Sequence, residues 1–191
     1  MKKIFLASGF FLLILQSCGP KPVTQEEAGK YIDRFKKITG KLGDARAFAK
    51  EWDRQLPLEQ ITSDNKIVIE MTKKYNQGLI DNQNKYLRQL VDGLTQGSII
   101  AQDSLMKLDT IDGGGAMKTT ALEMAEAFKK ASTDEYPKLL ALRMAGDTVQ
   151  AKYDELWKAL DTKLTPVSKK FSDARRTFGE KFNIHMLELN L

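Results

Sequence analysis

Residues 24–57 read TQEEAGKYIDRFKKITGKLGDARAFAKEWDRQLP, and this stretch decides the fold. Thr24 offers a hydroxyl to the first turn, and Glu27, three residues on, can reach back to the Thr24 backbone, the pattern of a capping box. From Ala28, apolar residues follow at three- and four-residue steps: Tyr31, Ile32, Phe35, Ile38, Leu42, Ala45, Phe48, Ala49, Trp52 and Leu56. Such a stripe faces one partner surface along its whole length. Gly40 and Gly43 each weaken a helix by about 1 kcal/mol relative to alanine, which predicts a local bend, and Pro57 ends the helix.

The same spacing continues outward. Ser63-Asp64 can cap a second helix carrying Val68, Met71, Tyr75, Leu79, Tyr86, Leu90 and Leu94, with Asn82 on the stripe. Run unbroken to Ile111 it would be about 70 Å long, so a bend is expected near Gly93 or Gly97. Asp112-Gly113-Gly114-Gly115 is the clearest break, since consecutive glycines carry the largest backbone entropy cost in a regular element. A third helical region spans Met117 to Met144, with Pro137 predicting a kink or restart near Thr133. A fourth runs from about Thr148 to Leu164, and Thr165-Pro166 reads as the cap and first residue of a last helix. Ile67-Val68-Ile69 is too short for a strand, and helical spacing passes through it. The expected fold is all-α: one domain over residues 24–191, a bundle of four to five long, largely antiparallel amphipathic helices.

Residues 1–17 stand apart. Lys2 and Lys3 precede a twelve-residue apolar stretch, Ile4 to Leu15, too short for the roughly 20 residues of a spanning helix, and this reads as a signal peptide. Leu15-Gln16-Ser17-Cys18 then resembles the lipobox of bacterial lipoproteins: an aliphatic residue, a tolerant position, a small residue and a cysteine. The resemblance covers residues 1–18. It implies recognition through Leu15, Gln16 and Ser17, cleavage before Cys18, and acylation of that thiol with diacylglycerol and palmitate-type chains. The mature chain would hold 174 residues, and loss of Lys2 and Lys3 takes the formal charge from +5 to +3. That balance is too even to argue for nucleic acid. Cys18 is the sole cysteine, so stability must come from packing. Residues 18–23 form a short tether of less than roughly 20 Å, which starts the folded part close to a bilayer.

Candidate chemistry is thin. His185 is the single histidine, so a metal site with two histidines is excluded by count; no aspartate-rich loop has the alternating spacing of a calcium site. Ser63-x-x-Lys66 and Ser104-x-x-Lys107, with the overlapping Ser63-Asp64-Asn65, resemble signature elements of penicillin-recognising enzymes. Those elements lie far apart on a larger mixed fold, whereas here Ser63-x-x-Lys66 and Ser63-Asp64-Asn65 overlap in one short stretch that reads as a helix cap. Gly113 to Gly115 lacks the lysine and strand of a phosphate loop.

The last helix carries more information. At about 100° per residue, Val167, Phe171, Ala174, Phe178 and Phe182 fall within an arc of about 80°, bordered by Lys170 and Lys181 on one side and Arg175 on the other. Lys169 and Arg176 point away. Phenylalanines at this spacing suit a core. Cationic borders beside aromatics also suit an anionic surface or acidic partner, which makes Lys170, Phe171, Arg175, Phe178 and Lys181 a candidate contact surface.

The expected function is that of a non-enzymatic, lipid-anchored helical bundle without metal or cofactor. It would be tethered to a membrane through Cys18 and act on another envelope protein by contact, as an accessory or structural element. Gly19 stands where lipoproteins retained in the inner membrane carry aspartate, which implies the periplasmic face of the outer membrane or the cell surface. Two alternatives stand beside it: a periplasmic chaperone-like holdase, which needs an exposed apolar groove, and a small-ligand-binding bundle, which needs a pocket between helices.

Overall fold

A computed structural model describes residues 21–42, 45–144 and 150–184. These form five α-helices with no strand among the described residues: α1 (Gln25–Thr39), α2 (Ala45–Trp52), α3 (Lys66–Met106), α4 (Gly115–Met144) and α5 (Gln150–Lys181), with a 3-10 turn at Gly40–Leu42. The fold is an all-α bundle.

The capping box forms as read: the Thr24 side chain accepts from the Glu27 N–H, and Glu27 accepts from the Thr24 N–H at 2.9 Å. The break at Gly40 is more than a bend in the first helix. α1 stops at Thr39 and a 3-10 turn intervenes before α2, which ends at Trp52, ahead of Pro57. Together α1 and α2 serve as one broken helix. The cap of α3 is Asn65, whose Oδ1 accepts from the Ile67 N–H at 2.9 Å; Ser63 instead accepts from the Asn65 N–H. α3 is a single 41-residue helix through Gly93 and Gly97, about 60 Å long at 1.5 Å per residue. The helix is continuous past both glycines.

Neither proline interrupts its helix. Pro137 lies inside α4 and Pro166 inside α5, so the expected restart near Thr133 and the separate last helix at Thr165-Pro166 do not occur. Each ring removes one backbone donor, leaving the Thr133 and Thr162 carbonyls without their usual partner, at a propensity cost of about 3 kcal/mol. Packing on both sides offsets it. Tyr136, Leu139 and Leu140 are buried around Pro137, and Leu164, Val167 and Phe171 pack against the core around Pro166. Thr165 is no cap; its hydroxyl donates to Asp161 Oδ1 at 2.7 Å, one turn back.

Contacts between named residues set the topology. Tyr31 meets Phe178 and Phe35 meets Phe171, while Phe48 meets Trp157 and Trp52 meets Tyr153, so α1 and α2 run antiparallel to α5. Gln102 donates to Glu126 and Arg143 to Asn84, which sets α3 against α4. Lys170 with Glu123 and Lys163 with Glu135 set α4 against α5. The result is an up-down-up-down four-helix bundle whose first helix is broken.

Two core clusters stack along the axis. One gathers Phe35, Leu105, Met117, Met124, Phe171 and Phe178 at the pole where residue 21 emerges. The other gathers Phe48, Leu87, Val91, Tyr136, Leu139 and Leu160 toward the opposite pole. Gly113, with φ +79°, makes the turn between α3 and α4, and Gly114 lies against the Tyr31 ring, where a Cβ would sit 2.6 Å from a ring carbon.

Candidate functional site

Residues 1–20 and 185–191 fall outside the described residues, and with them Leu15, Gln16, Ser17, Cys18 and His185. The candidate contact surface on α5 lies within them and is taken apart by the packing. Phe171 and Phe178 are buried in the core, at 1% and 3% exposure. Arg175 is buried too, and burial lowers its guanidinium pKa. These three side chains are therefore not available as a surface, because α1 covers the arc that cationic borders had suggested leaving open. Lys170 and Lys181 are exposed at its edges, Lys170 facing Glu123 at 3.6 Å and Lys181 facing Asp112 at 2.8 Å. The lysine holds the Asp112 carboxyl below its usual range, first through their hydrogen bond and then through its charge.

The pole far from residue 21 carries two features that the periodicity did not single out. The first is a cleft of about 560 Å³ lined by Ala49, Trp52, Asp53, Arg143, Tyr153, Asp154 and Trp157. Its aromatic wall is edge-to-face: the Trp52 ring lies 5.9 Å from Trp157 and 5.6 Å from Tyr153. Its floor is a polar knot. Arg143 donates to Asn84 Oδ1 and to the Trp52 carbonyl, both at 3.2 Å, and to Gln83 Oε1, while its guanidinium sits 4.9 Å from the Trp52 ring centre. Gln83 in turn donates to the carbonyls of Glu51 and Arg54. Arg143 and Gln83 thus satisfy the Trp52 and Arg54 carbonyls at and just past the end of α2, and give the Glu51 carbonyl a second donor beside the Arg54 N–H. Burial lowers the Arg143 pKa.

The second feature is the free-standing start of α3. The helix enters the bundle core at Gln83 and Asn84. Before that point its company is the 53–65 segment, held at Asn76, which accepts from the Glu59 N–H and donates to the Glu59 carbonyl, both at 2.9 Å. The stripe that the sequence presented as a bundle face points elsewhere. Ile67 and Met71 are each 68% exposed, and Val68, Tyr75 and Tyr86 are exposed as well; Leu79 and Leu90 are half-buried, and Leu94 alone of the stripe is buried. Asn82 is exposed, whereas the buried amides are its neighbours Gln83 and Asn84. At about 100° per residue, the outward arc from Ile67 through Tyr86 lies about 150° from the face that Leu87, Val91, Leu94 and Leu105 bury. α3 is two-sided. Hydrophobic periodicity reveals that a face is apolar without naming what covers it.

At the near pole, a small recess of about 280 Å³ is lined by Lys21, Val23, Glu27, Lys30, Tyr31, Arg34 and Ile111. No described helix is long and apolar enough to cross a membrane, and the described residues contain no cluster of three or more histidine, cysteine or acidic side chains placed to hold a metal. No family model matches the chain, and searches of curated proteins and of solved structures give no match.

Proposed function

We propose that this chain is the precursor of a bacterial lipoprotein, anchored through an acylated Cys18, whose helical bundle acts by protein contact as an accessory or structural element of the cell envelope. The observation that carries the contact reading is the exposed apolar face at the start of α3, with Ile67, Val68, Met71 and Tyr75 open to solvent. An apolar stripe of this length on a helix that already has a buried face marks an interaction site. Its position supports the same reading. The tether leaves from one pole and the stripe begins about 60 Å away along α3, so the contact face lies clear of the point where the chain would meet the bilayer. Lys21, Lys30 and Arg34 sit where the chain would meet anionic headgroups.

Two measurements test the two halves of the proposal. Cys18→Ala should leave the protein unprocessed or released from membranes; a variant that still fractionates as a mature, lipid-modified form overturns the anchor. A photo-crosslinking side chain at Tyr75 should give discrete adducts in cells, whereas one at Lys158, exposed on α5, should not. Equal background from both positions overturns the contact face.

The cleft favours a second reading, in which the bundle binds a small amphipathic ligand. Stacked tryptophan and tyrosine edges above a fixed guanidinium and two carboxylates offer apolar area with a few oriented polar groups, the composition of ligand sites. Trp52 and Trp157 are the chain's two tryptophans and both line it, so a ligand entering the cleft must change the intrinsic fluorescence. A panel of amphipathic cations, anions and neutral lipids without effect on that emission overturns this reading.

A further inference from the structure

The outward face of α3 has a charge order that matches one kind of partner. Along one border of the apolar arc stand Glu70, Lys74, Asp81 and Lys85, all exposed. Their signs alternate, and they invert about the middle of the arm: reading forward from Glu70 gives acid then base, and reading backward from Lys85 gives base then acid. A second α3 laid antiparallel brings like borders together. With the two-fold axis beside Gly78, Glu70 faces Lys85 of the other copy and Lys74 faces its Asp81. The same alignment sets Met71 opposite Tyr86 and Tyr75 opposite Asn82. Gly78, where a Cβ would meet nothing within 4 Å, sits at the crossing and lets the backbones approach. A parallel pairing has no such match, since it sets this charged border against the opposite border of the other copy, where the uncharged Val68, Thr72 and Leu79 stand.

We infer that the contact face of α3 pairs with a second copy of this chain, as an antiparallel two-fold dimer centred near Gly78. The inference rests on the contact reading above and specifies its partner. A two-fold contact is self-complementary by construction, so every favourable pair occurs twice. The bundle does not obstruct it, because α4 and the broken first helix cover the opposite side of α3. The dimer sets the two chain starts at opposite ends, and both tethers reach a single membrane when it lies along the surface.

The test uses the full mature protein, purified with its anchor in detergent. Single cysteines at three exposed or open positions, Gly78→Cys, Met71→Cys and Tyr86→Cys, are treated with a short bis-maleimide. The expected result is a crosslinked dimer from Gly78→Cys alone, none from Met71→Cys or Tyr86→Cys separately, and a dimer when those two are mixed. Lys85→Glu should raise the dimer dissociation constant by about three- to tenfold, and adding Glu70→Lys should restore it. Self-crosslinking at all three positions overturns the antiparallel arrangement. A monomer at every concentration, together with a Tyr75 photo-adduct to a protein of different mass, overturns the second copy and leaves the contact reading standing. A monomer with no adduct from Tyr75 overturns both.

Discussion

Gly97 of α3 lies directly beneath the carbonyl of Lys41, so close that a Cβ at position 97 would sit 1.8 Å from that oxygen. The 3-10 turn between α1 and α2 crosses α3 at this point, and only a glycine admits the crossing. Glycine inside a helix ordinarily costs stability relative to alanine, but here the neighbouring backbone reverses the sign. Gly97→Ala should destabilise the protein by about 1–3 kcal/mol through overpacking. Gly93→Ala, one turn earlier and open to solvent, should stabilise it by about 0.5–1 kcal/mol. Chemical denaturation of both variants checks the pair, and equal shifts would contradict the crossing.

Arg143 joins four partners at the far pole: the amide oxygens of Gln83 and Asn84, the Trp52 carbonyl and the Trp52 ring. Lysine keeps the charge but has neither the planar fork nor the stacking face. Arg143→Lys should therefore cost about 1–3 kcal/mol, with a change in tryptophan emission, because Trp52 is held by this group. A variant with wild-type stability and spectrum would show that the fork does not hold the end of α2.

Burial pushes the Tyr136 phenol up to about 12, from its ordinary 10. Between about pH 10 and 12 the unfolded chain gives up this proton while the folded chain keeps it, so stability falls as pH rises through that window and the contribution is intact below it. Tyr136→Phe should lose less stability than the wild type over the same interval. Urea midpoints followed from about pH 9 to pH 11 decide the matter, and parallel curves would rule out Tyr136 as the source.

Pro166 is exposed and interior to α5. Replacing it with alanine returns a donor for the Thr162 carbonyl and removes the ring from the preceding turn. Pro166→Ala should stabilise the fold by about 1–3 kcal/mol in thermal or urea unfolding. A destabilised variant would mean that the ring shapes α5 to fit its neighbours.

Much of the fold was legible before any coordinate. Thr24 and Glu27 announce a helix start through chemistry confined to four residues, and the Gly113-Gly114-Gly115 run announces a break because no other residue adopts φ +79° so readily. The spacing of apolar side chains defined the helices themselves, since a period near 3.6 belongs to the segment that carries it. The candidate site was another matter. The spacing of Phe171 and Phe178 suits either a core or a contact surface, and packing against Phe35 and Tyr31 makes them core. The spacing from Val68 to Tyr86 is that of a bundle face, yet Val68, Met71, Tyr75 and Tyr86 point outward.

What the sequence by itself determined is therefore local: which segments are helical, where caps and breaks fall, and that α3 carries an apolar stripe. The tertiary structure alone decided that α4 and α5 run through Pro137 and Pro166, that Gly97 is a crossing point, and which of two faces of α3 enters the core. The reason is physical. A hydrogen bond four residues back is a property of one stretch of chain, whereas burial and the strain that packing can offset are relations between two stretches, and the second partner is not written in the first.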